Sequence, residues 1–391
     1  MTGKKSLLEA NVDGKRVLVR CDFNVPIADG KITDDRRIRA AVPTIENLLA
    51  RNAAVILVSH LGRPKGFDPK LTLAPVAERL SEILGRPVRL TPGVVDEETA
   101  HIVQSAKPGD VFLLENVRFH PEEEQNDEEF ARRLAQFADI YVNDAFGTAH
   151  RAHASTEGVT HHLPAYSGFL MQKELDYLGS VFRDPKHPFV AILGGAKVKD
   201  KIPVIESLLP KVDHLLIGGG MAFTFIKAQG HEIGKSLLDE TSLEFAERVL
   251  AENPDKIRIP LDFVVAPSID DPQKAQICPA DQIPLDQMGL DIGPETRSEY
   301  ARIIESAGTV VWNGPMGVFE VPAFAEGTKA VALAMVKCSG TTIVGGGDSA
   351  AAVEIMDVAD SLSHVSTGGG ASLEFLEGKA LPGVEALLDA N

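Results

Sequence analysis

The chain has 391 residues, long enough for two ordinary hydrophobic cores. Its 39 Lys and Arg stand against 56 Asp and Glu, a formal charge of −17, which excludes non-specific binding to nucleic acid or to an anionic membrane surface. Three cysteines without a CxxC pair form neither a disulfide framework nor a zinc ribbon, no apolar run is long enough for a leader or a membrane span, and the expectation is a soluble cytoplasmic protein.

Short β-branched runs alternate with longer helical patterns. The first half has strand patterns at 16–23, 53–60, 111–119 and 140–146. Their apolarity is continuous, not alternating, as for strands of a parallel sheet covered on both faces. DFNVP at 22–26 follows the first strand and puts Asp22, Phe23 and Asn24 at its end, where a capped turn also fits. DDRRIRA at 34–40 offers Arg36, Arg37 and Arg39, of which at least one belongs to a solvated helix face. SHLGRPKG places His60, Leu61, Gly62 and Arg63 directly after the second strand. Arg118 stands at the third strand end, and GTAHRAHAST brings His150, Arg151 and His153 after the fourth. The HxxH spacing invites zinc, but an Arg between the two histidines opposes a cation and no Cys is near. Four or five cations converging in an acidic protein, His60, Arg63, Arg118 and Arg151 with or without an Arg of the 36–39 run, imply a small substrate with several negative charges, such as a phosphorylated organic acid.

LMQKELDYLGSVF at 170–182 reads as a helix and DPKHP as its stop, so the seam between two domains falls between Tyr166 and Pro188. Beyond it strands are expected at 189–195, 214–220, 257–266, 309–315, 341–347 and 364–370. The spacing fits βαβ units, and hence doubly wound α/β domains that face each other across their strand ends. Four of these strands run into glycine turns, LGGAKVKDK, IGGGMAF, VGGGDSAA and TGGGASLEF, each aiming backbone N–H groups at an anion. A helix starting near Lys197 would carry Lys197 and Lys201 on one face of its first turn, against the dipole, where a bound anion would relieve them. GHEIGKS at 230–236 lacks one residue of a P-loop and follows a helical pattern; it reads as a helix-ending glycine and a turn. GGGDSA satisfies the loose dinucleotide form, yet the next strand ends in Ser366 and Thr367 rather than in an acid. Asp348 either caps its helix or holds Mg²⁺ through one carboxylate, and Glu320 either accepts a ribose hydroxyl or is an ordinary exposed acid.

Ten segments in order, DFNVP, SHLGRP, LLENVRFHPEE, NDAFGTAHRAHAS, ILGGAKVKDKI, IGGGMAFTF, DIGPET, VWNGPMGVFE, GGGDSAAA and STGGGASLEFLEGK, resemble the phosphoglycerate kinase family over essentially the whole chain. Departures are small: Glu295 stands where a Lys is common, and Lys199 lies between the two key lysines. The resemblance implies two Rossmann-like parallel-sheet lobes joined by a helical hinge, residues 1–170 with about 379–391 for 3-phosphoglycerate and 171–378 for the nucleotide. It implies that the Asp22–Asn24 segment, Arg37, His60 to Arg63, Arg118 and Arg151 hold the acid. Lys201, Glu320, Gly346, Gly347, Asp348 and Ser349 would hold ATP, with Asp348 on Mg²⁺. Lys197 would meet the transferred phosphoryl group, with Arg37, Gly369 and Gly370 as its partners. A carboxylate acceptor is already deprotonated, so no general base is expected, and lobe closure would exclude water. The expected state is a monomer with small-molecule partners only. A nicotinamide-dependent dehydrogenase and a two-lobed anion receptor remain the rival readings.

Overall fold

The computed structural model describes residues 3–390 and divides into two compact units, one reaching Asp176 and resuming at Ala380, the other Tyr177–Lys379. In the first unit six strands form one all-parallel sheet: β1 (Arg16–Arg20), β2 (Ala54–Val58), β3 (Arg89–Leu90), β4 (Val111–Leu113), β5 (Ile140–Asn143) and β6 (Ala165–Ser167), in the order β3-β4-β2-β1-β5-β6. Val17 and Val19, Val55 and Leu57, Val111 and Leu113 share one cluster with Ile38, Ile45, Leu48, Val76 and Leu80 of the helices Arg36–Ala50 and Ala74–Leu84. Leu18, Ile56, Phe112 and Tyr141 are equally buried but lie outside that cluster, because successive side chains point to opposite faces. Both faces being covered, the strands read as unbroken apolar runs. From Ala380 the chain is tied back into this unit: Lys4 Nζ donates to the carbonyls of Glu385 and Leu387 (3.1 Å each) and pairs with Asp389 (2.8 Å).

The second unit holds a parallel sheet of β7 (Phe189–Leu193), β8 (His214–Ile217), β9 (Ile257–Arg258), β13 (Thr309–Asn313), β14 (Thr341–Gly345) and β15 (His364–Val365), ordered β9-β8-β7-β13-β14-β15. Two doubly wound α/β sheets are therefore present, as the patterns predict. One expected strand is not continuous. The run 257–266 breaks at Pro260, which has no N–H for a ladder. Its first part closes the edge of the parallel sheet, while β10 (Asp262–Ala266) pairs antiparallel with β11 (Gln276–Pro279) and β12 (Met288–Ile292) in a separate sheet. That three-stranded sheet gave no apolar signal in β11, which is exposed at three of its four residues. The expected helix at 170–182 is Phe169–Arg183. The helix expected from Lys197 starts later: a 3-10 turn covers Lys199–Lys201 and the α-helix runs Ile202–Leu208.

In the second sheet the strand order reverses once, between β7 and β13, and in the first the central reversal lies beside β1. Parallel strands send all their carboxyl ends to one edge, and the crevice at the reversal point is where open α/β sheets bind ligands.

Candidate functional site

At the carboxyl edge of the first sheet, β1 delivers Arg20, Asp22 and Asn24, and β2 delivers Ser59, His60 and Gly62. The turns are locked to each other: Phe23 N–H donates to Ser59 Oγ (2.9 Å) and Gly62 N–H to Asn24 Oδ1 (2.9 Å). The arginine run 36–39 separates cleanly. Arg36 pairs with Asp34 (2.6 Å), and Arg39 shares Asp35 with Arg79 (3.0 and 2.8 Å). Arg37 alone of the three turns to the strand end, its Nη1 donating to Asp22 Oδ2 at 2.8 Å. Arg118 is 6% exposed, donates from Nη1 to the Gly62 carbonyl (3.0 Å), and keeps Nη2 without a hydrogen-bond partner. Its Nε pairs with the exposed Glu124 carboxylate at 3.4 Å, so part of the charge is neutralised within the chain, while an anion at Nη2 would complete the buried guanidinium. Arg151, half-buried, donates from Nε to His150 Nε2 (3.2 Å), and Arg63 is exposed on its loop.

His60 is the point on which these charges converge. Burial pushes its pKa well below the ordinary value, and Arg20, Arg118, Arg37 and Arg151 push the same way. His153 is lowered to about 4 by burial, Arg118, Arg20 and Arg151. The expectation that His60 adds a positive charge is therefore corrected: surrounded by guanidinium groups, it is neutral. The charge it was assigned belongs to Arg20, a residue the sequence reading passed over. Arg20 is fully buried, donating from Nε to Ser155 Oγ (2.7 Å), from Nη2 to His60 Nδ1 (3.1 Å) and from Nη1 to the Cys21 carbonyl. The signal was present in RVLVRCDF, since a charged residue in a strand buried on both faces needs a buried partner. Its counter-charge is Glu123, also buried, which accepts from the Ser155 hydroxyl (2.5 Å) and backbone N–H (2.8 Å).

The second unit is built differently. The loops after β7, β8 and β13 interlock through their backbones. Gly195 N–H donates to the Pro315 carbonyl (3.1 Å), Gly219 N–H to that of Met316 (3.0 Å), and Met221 N–H to that of Gly195 (2.9 Å). A Cβ on Gly219, whose φ is +66°, would stand 2.5 Å from Gly195 N. So Gly194, Gly195, Gly218 and Gly219 serve loop packing, and their amides are used inside the protein instead of aiming outward as expected. The two later loops do open helices: Gly347–Ile355 and Gly370–Leu376 begin without a side-chain cap, on Gly346 and Gly369. Gly347 has open space where a Cβ would project. The capping reading of Asp348 fails accordingly; it lies in the uncapped first turn, exposed. Ser349 is buried and accepts from Gly314 N–H (2.6 Å), which ties this helix start to the β13 loop.

Lys201 reaches Asn313 Oδ1 at the end of β13, leaving Asn313 Nδ2 buried without a partner. Burial lowers the Lys201 pKa to about 8, while Asp200, Asp348 and Glu377 oppose that shift. Lys197 and Glu320 are exposed. Among the described residues no three His, Cys, Asp or Glu side chains are grouped to hold a metal ion by themselves, and no helix is long and apolar enough to cross a membrane. A single exposed carboxylate beside an uncapped helix start still fits Mg²⁺ carried in on phosphates, because that ion keeps most of its ligands as water and phosphate oxygen.

The profile of the phosphoglycerate kinase family matches residues 7–379. The chain is 58% identical over 390 residues to the phosphoglycerate kinase of Moorella thermoacetica and 55% identical over 390 residues to that of Pelotomaculum thermopropionicum, covering 99% of each pair. Among solved structures it resembles the phosphoglycerate kinase of Coxiella burnetii, with a TM-score of 0.90 and 43% identity, and that of Pyrococcus horikoshii, with 0.85 and 33%; 98% of each chain is covered.

Proposed function

The chain belongs to the phosphoglycerate kinase family, and on that premise we propose that it transfers a phosphoryl group between ATP and the carboxylate of 3-phosphoglycerate, the glycolytic reaction, with the first unit holding the acid and the second the nucleotide. The observation that supports this most is the convergence of Arg20, Arg37, Arg118 and Arg151 around His60, with Arg118 Nη2 lacking a partner. An anion with two charged ends satisfies such a set; a nicotinamide or a neutral metabolite does not.

In this reading Asp22, Phe23, Asn24, Arg37, His60 to Arg63, Arg118 and Arg151 bind the acceptor, and Lys201, Glu320 and Gly346 to Ser349 bind the nucleotide. Asp348 would hold Mg²⁺, which supplies neutralisation of phosphate charge. The acceptor oxygen needs no proton removed, so the protein's work is positioning and charge balance. Arg37 and Lys197 carry fixed positive charge toward the equatorial oxygens, and the amides at Gly369 and Gly370 add hydrogen bonds. Closure of the units on both substrates would keep water from an acyl phosphate. The enzyme is proposed to act as a cytoplasmic monomer. Following ADP formation from ATP tests the reading: it should appear with 3-phosphoglycerate and stay at background without it. ADP formation indifferent to 3-phosphoglycerate rejects the proposal.

A further inference from the structure

We propose that His60 meets its ligand as a neutral hydrogen-bond donor through Nε2, in a tautomer fixed by Arg20, and that Ser155 and Glu123 are the positioning residues that hold Arg20 in place. The inference rests on the anionic acceptor proposed above, but its first step needs only hydrogen-bond logic. A guanidinium has donors and no acceptor. Arg20 Nη2 lies 3.1 Å from His60 Nδ1. Two N–H groups cannot face each other at that distance, so Nδ1 carries the lone pair and the ring proton sits on Nε2. An imidazolium would oppose two like charges as well as two donors. Among the described residues Nε2 has no protein partner.

Arg20 keeps this orientation because each of its nitrogens is engaged. Nε donates to Ser155 Oγ at 2.7 Å, and Nη1 donates to the Cys21 carbonyl. The Ser155 hydroxyl, already accepting, passes its own proton toward Glu123 Oε1 at 2.5 Å, and its backbone N–H donates to Oε2 at 2.8 Å. The Tyr141 hydroxyl pins the Ser155 carbonyl at 2.7 Å. Arg20, Ser155 and Glu123 are all fully buried. One hydroxyl thus couples a buried cation to its buried counter-charge and fixes the fork of the guanidinium. The ligand then meets a donor of known direction that brings no charge of its own, among arginines that bring charge with looser direction.

The test is a ¹H–¹⁵N long-range correlation spectrum of the ligand-free, histidine-labelled full chain at neutral pH, with His60 assigned by its loss in His60→Gln. A protonated Nε2 and a bare Nδ1 are expected. A protonated Nδ1, or two protonated nitrogens, overturns the inference even if 3-phosphoglycerate turnover is normal. Ser155→Ala should blur the single tautomer and raise the KM for 3-phosphoglycerate roughly tenfold, leaving the KM for ATP in place. Ser155→Thr, which keeps the hydroxyl, should restore both. A folded Ser155→Ala with the native spectrum and native KM removes Ser155 and Glu123 from the positioning role. Should Ser155→Ala not fold, the spectrum of the unmodified chain and the Thr variant still decide. The expected spectrum in a chain that ignores 3-phosphoglycerate would sink the proposed reaction and keep the tautomer.

Discussion

The first unit gathers positive charge on side chains at the carboxyl edge of its sheet, whereas the second presents glycine-bounded backbone with one half-buried lysine. The two edges have the same architecture, parallel strands meeting at a reversal of strand order, yet they would offer an anion different parts. Side-chain cations act over distance and can be removed one at a time. Backbone amides act at contact and are held by the geometry of neighbouring loops, so a methyl group can undo them. The units should therefore fail in different ways.

The largest effect should come from the glycine interlock. Gly219 has φ +66°, and an added Cβ would lie 2.5 Å from Gly195 N and 2.7 Å from the carbonyl oxygens of Gly195 and Pro315. Backbone on three sides cannot yield as a flexible side chain does. Gly219→Ala should lower stability by about 3 kcal/mol or more. Urea unfolding would show this as a lower midpoint at unchanged slope. A variant near wild-type stability would break the claim that these loops brace one another.

On the side-chain side, Arg37→Ala should lower kcat by roughly 100-fold while ATP affinity stays close to native, since under the proposed reaction it removes one charge from the transferred group. Arg36→Ala is the control within the same run, because that guanidinium is engaged with Asp34. Steady-state kinetics on both variants sharpen the comparison. Equal losses would mean that the run acts as a diffuse field, and a near-native kcat for Arg37→Ala would remove it from the reaction.

The parallel sheets were legible because burial on both faces leaves continuous runs such as AVILV, and the residue types at their ends pointed to an anion. What escaped was pairing. Nothing in RRIR says which arginine meets Asp22, and Arg20 looked like part of a strand until Ser155 and Glu123 closed around it. Sequence counts charges, whereas burial and neighbours decide protonation, and at His60 both favour the neutral ring. The glycine loops misled for a related reason. Gly-Gly after a strand serves equally for loop packing or for an exposed amide, and only the positions of Pro315 and Met316 separate the uses. The split of 257–266 was encoded in Pro260, outweighed by the apolar residues around it.

A smaller effect tests the lysine of the second unit. Burial holds Lys201 at a pKa of about 8 in the free protein. A nucleotide phosphate beside it favours the charged amine and raises that pKa. Near pH 8 the free lysine is about half neutral, so ATP binding should take up about half a proton. The uptake should fade below pH 7, where the amine is charged both before and after binding. Calorimetry in buffers of different ionisation enthalpy measures it directly, and Lys201→Met should abolish the uptake and weaken ATP binding while leaving 3-phosphoglycerate binding intact. No proton uptake in the native protein would reject Lys201 as a phosphate ligand.

The smallest stability change should fall at Gly347, and it makes the sharpest contrast with Gly219. Gly347 begins the helix Gly347–Ile355 in ordinary helical backbone, and a Cβ there meets nothing within 4 Å. Alanine is the better helix former, so Gly347→Ala should alter folding stability by no more than about 0.5 kcal/mol in either direction. The same methyl would stand at the uncapped helix start where, on the proposed reading, a phosphate oxygen comes close to the amides, so ATP affinity should fall roughly tenfold. Glycine used for packing would thus register in the melting curve, and glycine used for approach only in the binding isotherm. If Gly347→Ala binds ATP as the native chain does, the open face of that helix is not where the nucleotide phosphates sit, and the division between braced and presented backbone loses its functional half.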